Sequence, residues 1–128
     1  MKREELNKLS RIILDSSIEV HRNLGPGLLE STYEVCLCKE LETRKIKYLR
    51  QLFLPVKYKG ELLDADYRID LLIENDIIIE LKSVDAILPV HVAQLLTYLK
   101  LSEKRLGLLI NFNVPRLVDG VKRVVNNF

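Results

Sequence analysis

No stretch of this chain approaches the ~18 consecutive apolar residues of a membrane-spanning helix, so no membrane partner is expected. The opening Met1-Lys2-Arg3-Glu4-Glu5 is too acidic and polar to lead a secretory signal. Cysteine is scarce. The two present, Cys36 and Cys38, lie two apart in a helical pattern and diverge around its axis. That spacing suits neither a local disulfide nor a zinc site, and it fits reduced, partly buried thiols in a cytoplasmic protein. An excess of one charge is lacking too: a net charge of +2 permits a phosphate-rich partner but does not require one. There are no internal repeats, linkers or low-complexity stretches. With 48% hydrophobic and 30% charged residues, the 128 residues read as one globular domain, 1–128, long enough to bury a core.

Periodicity supplies the elements. Leu6, Leu9, Ile13, Ser17 and Val20 recur at three- and four-residue steps and predict an amphipathic helix over 4–23, ended by Gly25-Pro26-Gly27. A second helix, about 28–45, carries Leu29, Tyr33, Leu37 and Leu41 along one stripe. Alternation from Gln51 to Lys59 predicts a strand that turns at Lys59-Gly60, with Pro55 marking an edge or a bulge. Strands follow near 62–74 and 77–83. Pro89 opens a helix to about 102, with Val92, Leu95, Leu96 and Leu99 inward. Arg105 to Asn111 is a further strand, and the tail is a turn around Pro115 followed by an apolar segment, 121–125. The order ααβββαβ plus a short C-terminal segment predicts an α/β fold, a mixed β-sheet core flanked by helices.

Within this frame the informative stretch is Tyr67 to Lys82. Ile77-Ile78-Ile79 reads as a strand buried on both faces, yet Glu80 and Lys82 follow at once. An isolated carboxylate there would cost several kcal/mol, or take up a proton, unless it had a compensating partner. Glu80 and Lys82 point the same way along a strand, and Asp70 joins them only if residue 70 lies opposite residue 80. That register leaves Glu74-Asn75-Asp76 as a three-residue loop in which Asn75 or Asp76 takes the left-handed conformation. One face then holds Asp70, Leu72, Ile78, Glu80 and Lys82, and the other Leu71, Ile73, Ile77, Ile79 and Leu81. A divalent metal on Asp70 and Glu80 with Lys82 beside it is one solution. An ordinary ion pair of either acid with Lys82 is the other.

Other polar residues converge. His91, Gln94 and Tyr98 form a stripe on the third helix, where Gln94 could reach a water or phosphate and Tyr98 a phosphate or base. Gln and Tyr in such places are also ordinary surface cover. Glu30 is either a third carboxylate for the metal or an acid favoured by the helix N-terminus. His21 suits a helix C-terminus. Arg44, Lys45, Lys47 and Arg50 form one loose basic cluster and Arg116, Lys122 and Arg123 another, neither with interleaved aromatics.

Taken in order, Glu19 to Gly27, Gly27-Leu28-Leu29-Glu30-Ser31-Thr32-Tyr33, Tyr67-Arg68-Ile69-Asp70, Glu80-Leu81-Lys82, Pro89 to Tyr98 and Leu108 to Pro115 resemble the PD-(D/E)XK nuclease superfamily. More narrowly they resemble the small GxxExxY proteins. The likeness spans about residues 10–126 and implies a restriction-endonuclease-like sheet core with a metal-dependent phosphodiesterase site. By that resemblance Asp70, Glu80 and the Leu81 backbone carbonyl would bind Mg2+, with Mn2+ able to substitute, and Glu30 would contribute from its helix. Lys82 would orient or help deprotonate the attacking water. Gln94 would join the catalytic set, as in the third motif of the RecB-like exonuclease branch, while Tyr98, Glu30, Tyr33 and His91 would position substrate. One departure is Ile69, where the superfamily has a proline. The expected function is metal-dependent hydrolysis of nucleic acid, DNA first, by a small DNase with exonuclease character. The alternative is a non-catalytic nucleic-acid- or protein-binding module retaining a nuclease-like site. A homodimer would give the basic surface more reach.

Overall fold

Helical spacing of Leu6, Leu9, Ile13 and Val20 is what buries one side of the first element. A computed structural model describes residues 1–128 and places these four in the core along α1, Arg3–Leu24. Gly25 ends the helix at φ 70°, a conformation glycine adopts without a Cβ penalty. α2, Glu30–Thr43, buries Tyr33, Leu37 and Leu41. Leu29, expected on the same stripe, is 73% exposed because the helix begins one residue after it.

The strands β1 (Tyr48–Tyr58), β2 (Glu61–Ile73), β3 (Ile77–Lys82), β4 (Leu106–Asn111) and β5 (Val121–Val125) form one five-stranded sheet in the order β1-β2-β3-β4-β5. Only β3 and β4 run parallel, joined by a crossover through α3, Pro89–Ser102. The C-terminal apolar segment is thus an edge strand, antiparallel to β4 and entered through a 3-10 turn at Leu117–Gly120. Both expectations for Pro55 are met: β1 is the other edge, and its register shifts between Leu54 and Val56.

Both faces of the sheet are covered, as the isoleucine run of β3 requires. Leu71, Ile73, Ile77, Ile79 and Leu81 pack beneath α1 and α2. Leu72, Ile78 and Leu109 pack beneath Leu95 and Leu99 of α3. Each fully buried isoleucine contributes about 1.5–3 kcal/mol relative to exposure, so the centre of β3 anchors the fold. Leu71↔Ile79, Leu72↔Ile78 and Ile73↔Ile77 are the pairs, leaving the expected loop Glu74-Asn75-Asp76. Asn75 is left-handed (φ 60°), and so is Glu74 (φ 50°), in place of Asp76.

Gly120 is needed for close approach, because a Cβ there would overlap the Asn111 carbonyl oxygen. Backbone cannot yield as a side chain does. The Gly120→Ala protein is therefore expected to lose at least ~1–3 kcal/mol of stability, read as a lower urea midpoint.

Candidate functional site

Backbone pairing between β2 and β3 stops at Leu71↔Ile79. Past that point two carboxylates take over. The Asp70 N–H donates to Glu80 Oε2 at 2.9 Å, and the Leu81 N–H donates to Asp70 Oδ2 at 2.9 Å. The strands part here: β2 continues with β1 into a two-stranded arm, while β3 stays beside β4 as far as Lys82↔Asn111. Both acids sit at this fork.

Glu80 is only 6% exposed. Burial, and then the neighbouring Asp70, push its carboxyl up to about 8, and the Asp70 N–H and Lys82 offset this only in part. The molecule's four ion pairs include none of Asp70, Glu80 or Lys82, so the ordinary ion pair weighed from the sequence is not formed. Tyr98 is 5% exposed, and its hydroxyl is pushed up to about 12 by burial first, then by Glu80, Tyr67 and Asp70. It is therefore a neutral O–H donor at physiological pH.

A cleft of about 510 Å³ opens beside the fork, with Asp70 and Leu81 on the sheet side and Leu28, Glu30, Ser31 and Glu34 on the helix side. Glu30 reaches the sheet: its Oε2 accepts from the Ser83 N–H at 3.2 Å, and Ser83 Oγ donates to the Leu28 carbonyl at 2.6 Å. No His, Cys, Asp or Glu groups gather in a set of three, and Glu30 lines the cleft together with Asp70. Strict alternation also fails at the fork. Asp70 lines this cleft together with Leu81, a residue of the opposite predicted face.

Other expected residues fall elsewhere. Tyr33 is fully buried and stacks on Phe112 at 4.4 Å. Its hydroxyl donates to the Gly25 carbonyl at 2.6 Å and accepts from the Leu28 N–H at 3.1 Å. With both partners in the backbone, Tyr33 fixes the loop before α2. His91 accepts the Leu88 N–H on its Nδ1 at 3.0 Å, at the start of α3. His21 pairs its Nε2 with the Val114 carbonyl at 2.8 Å, tying α1 to the segment after β4. Gln94 is exposed and lines a second depression, about 450 Å³, with Tyr67 and Tyr98 between α3 and the arm. The acids thus lie between two openings, because Tyr98 faces this groove and feels Glu80 and Asp70.

Three polar residues at the site were not assigned to it from sequence. Glu34, 5% exposed, accepts from Arg50 Nε and Nη2 at 3.0 and 2.8 Å and from Gln51 Nε2 at 2.8 Å. Gln51 also donates to Asp70 Oδ1 at 3.3 Å. Asn111, 2% exposed, holds Val84 through both its N–H and its carbonyl, which fixes the chain just past Lys82. The fact that Glu34 lies on the helix stripe beside Glu30 is the only sequence signal for any of them.

Whether a divalent cation fits can be judged from the donors. Two carboxylates meet, one of them buried, with its proton affinity raised by that burial and by the charge of the other. Mg2+ is usually bound by one or two carboxylates while keeping several waters, so a larger acid cluster is not needed. In a strand the carbonyl of a residue projects to the same edge as its N–H, so the Leu81 carbonyl shares the edge turned to Asp70. The set fits.

An α/β scaffold carrying paired acids and a lysine where its mixed sheet divides is a recognisable class of protein. The chain belongs to the PD-(D/E)XK nuclease superfamily, whose family model matches residues 7–124, and the fold agrees with the restriction-endonuclease-like architecture of that group. No curated protein and no solved structure gives a significant match.

Proposed function

We propose that this protein hydrolyses phosphodiester bonds in nucleic acid, with DNA as substrate, using Mg2+ held by Asp70, Glu80 and the Leu81 carbonyl. The observation that carries this reading is the reciprocal pair at the fork, with each acid fixed by a backbone amide and Glu80 buried without a neutralising partner. Superfamily membership supports a metal-dependent nuclease, and Gly27-Leu28-Leu29-Glu30-Ser31-Thr32-Tyr33 supports the narrower likeness to GxxExxY proteins.

When bound, the cation supplies positive charge to a phosphate oxygen and lowers the pKa of a water. The remaining steps belong to the chain. Asp70 and Glu80 are held rigid by the amides they accept from, so little reorganisation accompanies the reaction. Lys82, in none of the ion pairs and beside Glu80, offers N–H donors to the attacking water or to the phosphate as negative charge develops. Tyr98 contributes a neutral O–H, and Gln94 an exposed amide at the groove edge. Exonuclease character is proposed on the Gln94 and Tyr98 pair alone.

The test is a cleavage panel of single- and double-stranded DNA and RNA, with closed and open ends. We expect products with Mg2+ or Mn2+ and none after chelation. Absence of cleavage across the panel, together with nucleic-acid binding, would instead make the chain a binding module.

A further inference from the structure

β1 contains one left-handed residue that neither a turn nor an inserted residue explains. Gln51 has φ 49°. On either side of it the pairs Arg50↔Leu71 and Leu52↔Ile69 keep one register, while the 51/70 pair is skipped. The other left-handed residue inside a strand, Asp66 (φ 59°), falls where the register shifts between Leu54 and Val56, as a bulge requires. At Gln51 nothing is inserted, so the ribbon is turned in place. The turn shows in the core: Leu71 packs beneath α1 and α2, yet Ile69, two residues away, packs beneath α3. Simple alternation would put both on one face.

The reward for this distortion lies in the side chain. Gln51 Nε2 donates to Glu34 Oε1 at 2.8 Å and to Asp70 Oδ1 at 3.3 Å. Both neighbours are carboxylates, so the amide must present its NH2 group to them, which fixes its orientation. Glu34 is an immobile anchor: it is nearly buried, and its other oxygen takes both the Nε and Nη2 of Arg50. Asp70 is thereby gripped on both oxygens, Oδ1 by Gln51 and Oδ2 by the Leu81 N–H. A non-glycine residue in this region costs free energy and persists only where its surroundings hold it there.

We propose that Gln51 is a positioning residue for Asp70: anchored on Glu34, it fixes the carboxylate in the orientation that receives a divalent cation. This rests on the metal-binding reading above. Gln51 touches neither substrate nor reacting atoms. It acts through Asp70, in the way that outer hydrogen-bond partners orient metal ligands elsewhere.

Calorimetric titration of the whole protein with Mn2+, in parallel with thermal melting, separates positioning from mere structure. Gln51→Gly and Gln51→Asn both tolerate a left-handed φ, so both keep the turn, and neither spans Glu34 and Asp70. We expect the Mn2+ dissociation constant to rise about 10- to 100-fold in both variants. Loss of the donor to nearly buried Glu34 is opposed by relief of the strained φ, so melting temperatures are expected to stay near that of the unsubstituted protein. Unchanged affinity in both variants would overturn the assignment. Weakened affinity with a lowered melting temperature in both would assign Gln51 to stability instead. If the unsubstituted protein binds no Mn2+, the metal reading fails and this one with it.

Discussion

The Asp70→Asn protein should cleave nucleic acid on the order of 10³-fold more slowly than the unsubstituted chain, or not measurably, while melting at nearly the same temperature. Asparagine keeps an oxygen that can accept the Leu81 N–H, and the N–H of residue 70 that reaches Glu80 is backbone, so the fork retains both of its ties. What disappears is the negative charge that would hold a cation, and with it the charge stabilisation at the phosphate. Lys82→Ala is the companion experiment. Lys82 takes part in none of the ion pairs, so its removal leaves no orphaned partner. A loss of about 10²- to 10³-fold is expected if its ammonium meets developing negative charge. Rates are best compared in single turnovers at saturating Mg2+, with circular dichroism to verify folding. A full rate in either variant would remove that residue from the chemistry.

The second large effect is on stability. In the cation-free protein the Glu80 carboxyl is raised to about 8 by burial and by Asp70, whereas in the unfolded chain it titrates at the ordinary value of 4.5. Between those values the folded chain binds the proton more tightly than the unfolded chain does. This contribution is fully present below about pH 4.5 and is lost as the pH rises through about 8. Cation-free protein should therefore weaken on the alkaline side. Glu80→Gln, whose amide oxygen can still accept the Asp70 N–H, should lack this pH dependence. Above pH 8 it should exceed the unsubstituted protein by an amount on the order of a few kcal/mol. Added Mg2+ should reverse the ranking, because only the carboxylate gains from it. Urea unfolding at several pH values, with chelator and with Mg2+, reads both halves. Equal stability of the two proteins at pH 9 in chelator would show that Glu80 is not a strained charge.

Much of this architecture is legible in the sequence, because its signals are local. Helical spacing marks α1 and α3, the isoleucine run marks β3, and the length of the Glu74-Asn75-Asp76 loop sets Asp70 opposite Glu80. The tail is too short to declare itself a strand, since what makes it one is β4 alongside. Alternation gives the correct faces for residues 71–73 and 77–79 and then fails at Asp70, across from the left-handed Gln51, whose conformation no hydropathy pattern records. Glu34, Arg50 and Gln51 meet across sequence gaps of 16 and 17 residues, and Gln51 meets Asp70 across 19, so no spacing rule connects them. Tyr33 carries a further role that its motif does not reveal: its hydroxyl bonds twice to the loop between α1 and α2.

The parting of β2 from β3 has a consequence for how the site should be dissected. The amides of Asp70 and Leu81 end on carboxylates where a continuing ladder would offer carbonyls. The sheet gives up its next rung to keep the acids in place. Alanine at both positions 70 and 80 would leave two strand amides without acceptors, and the cheapest remedy is for the hairpin to zip one step further. Such a protein would be dead because its mouth had closed, whatever the chemistry of the lost groups.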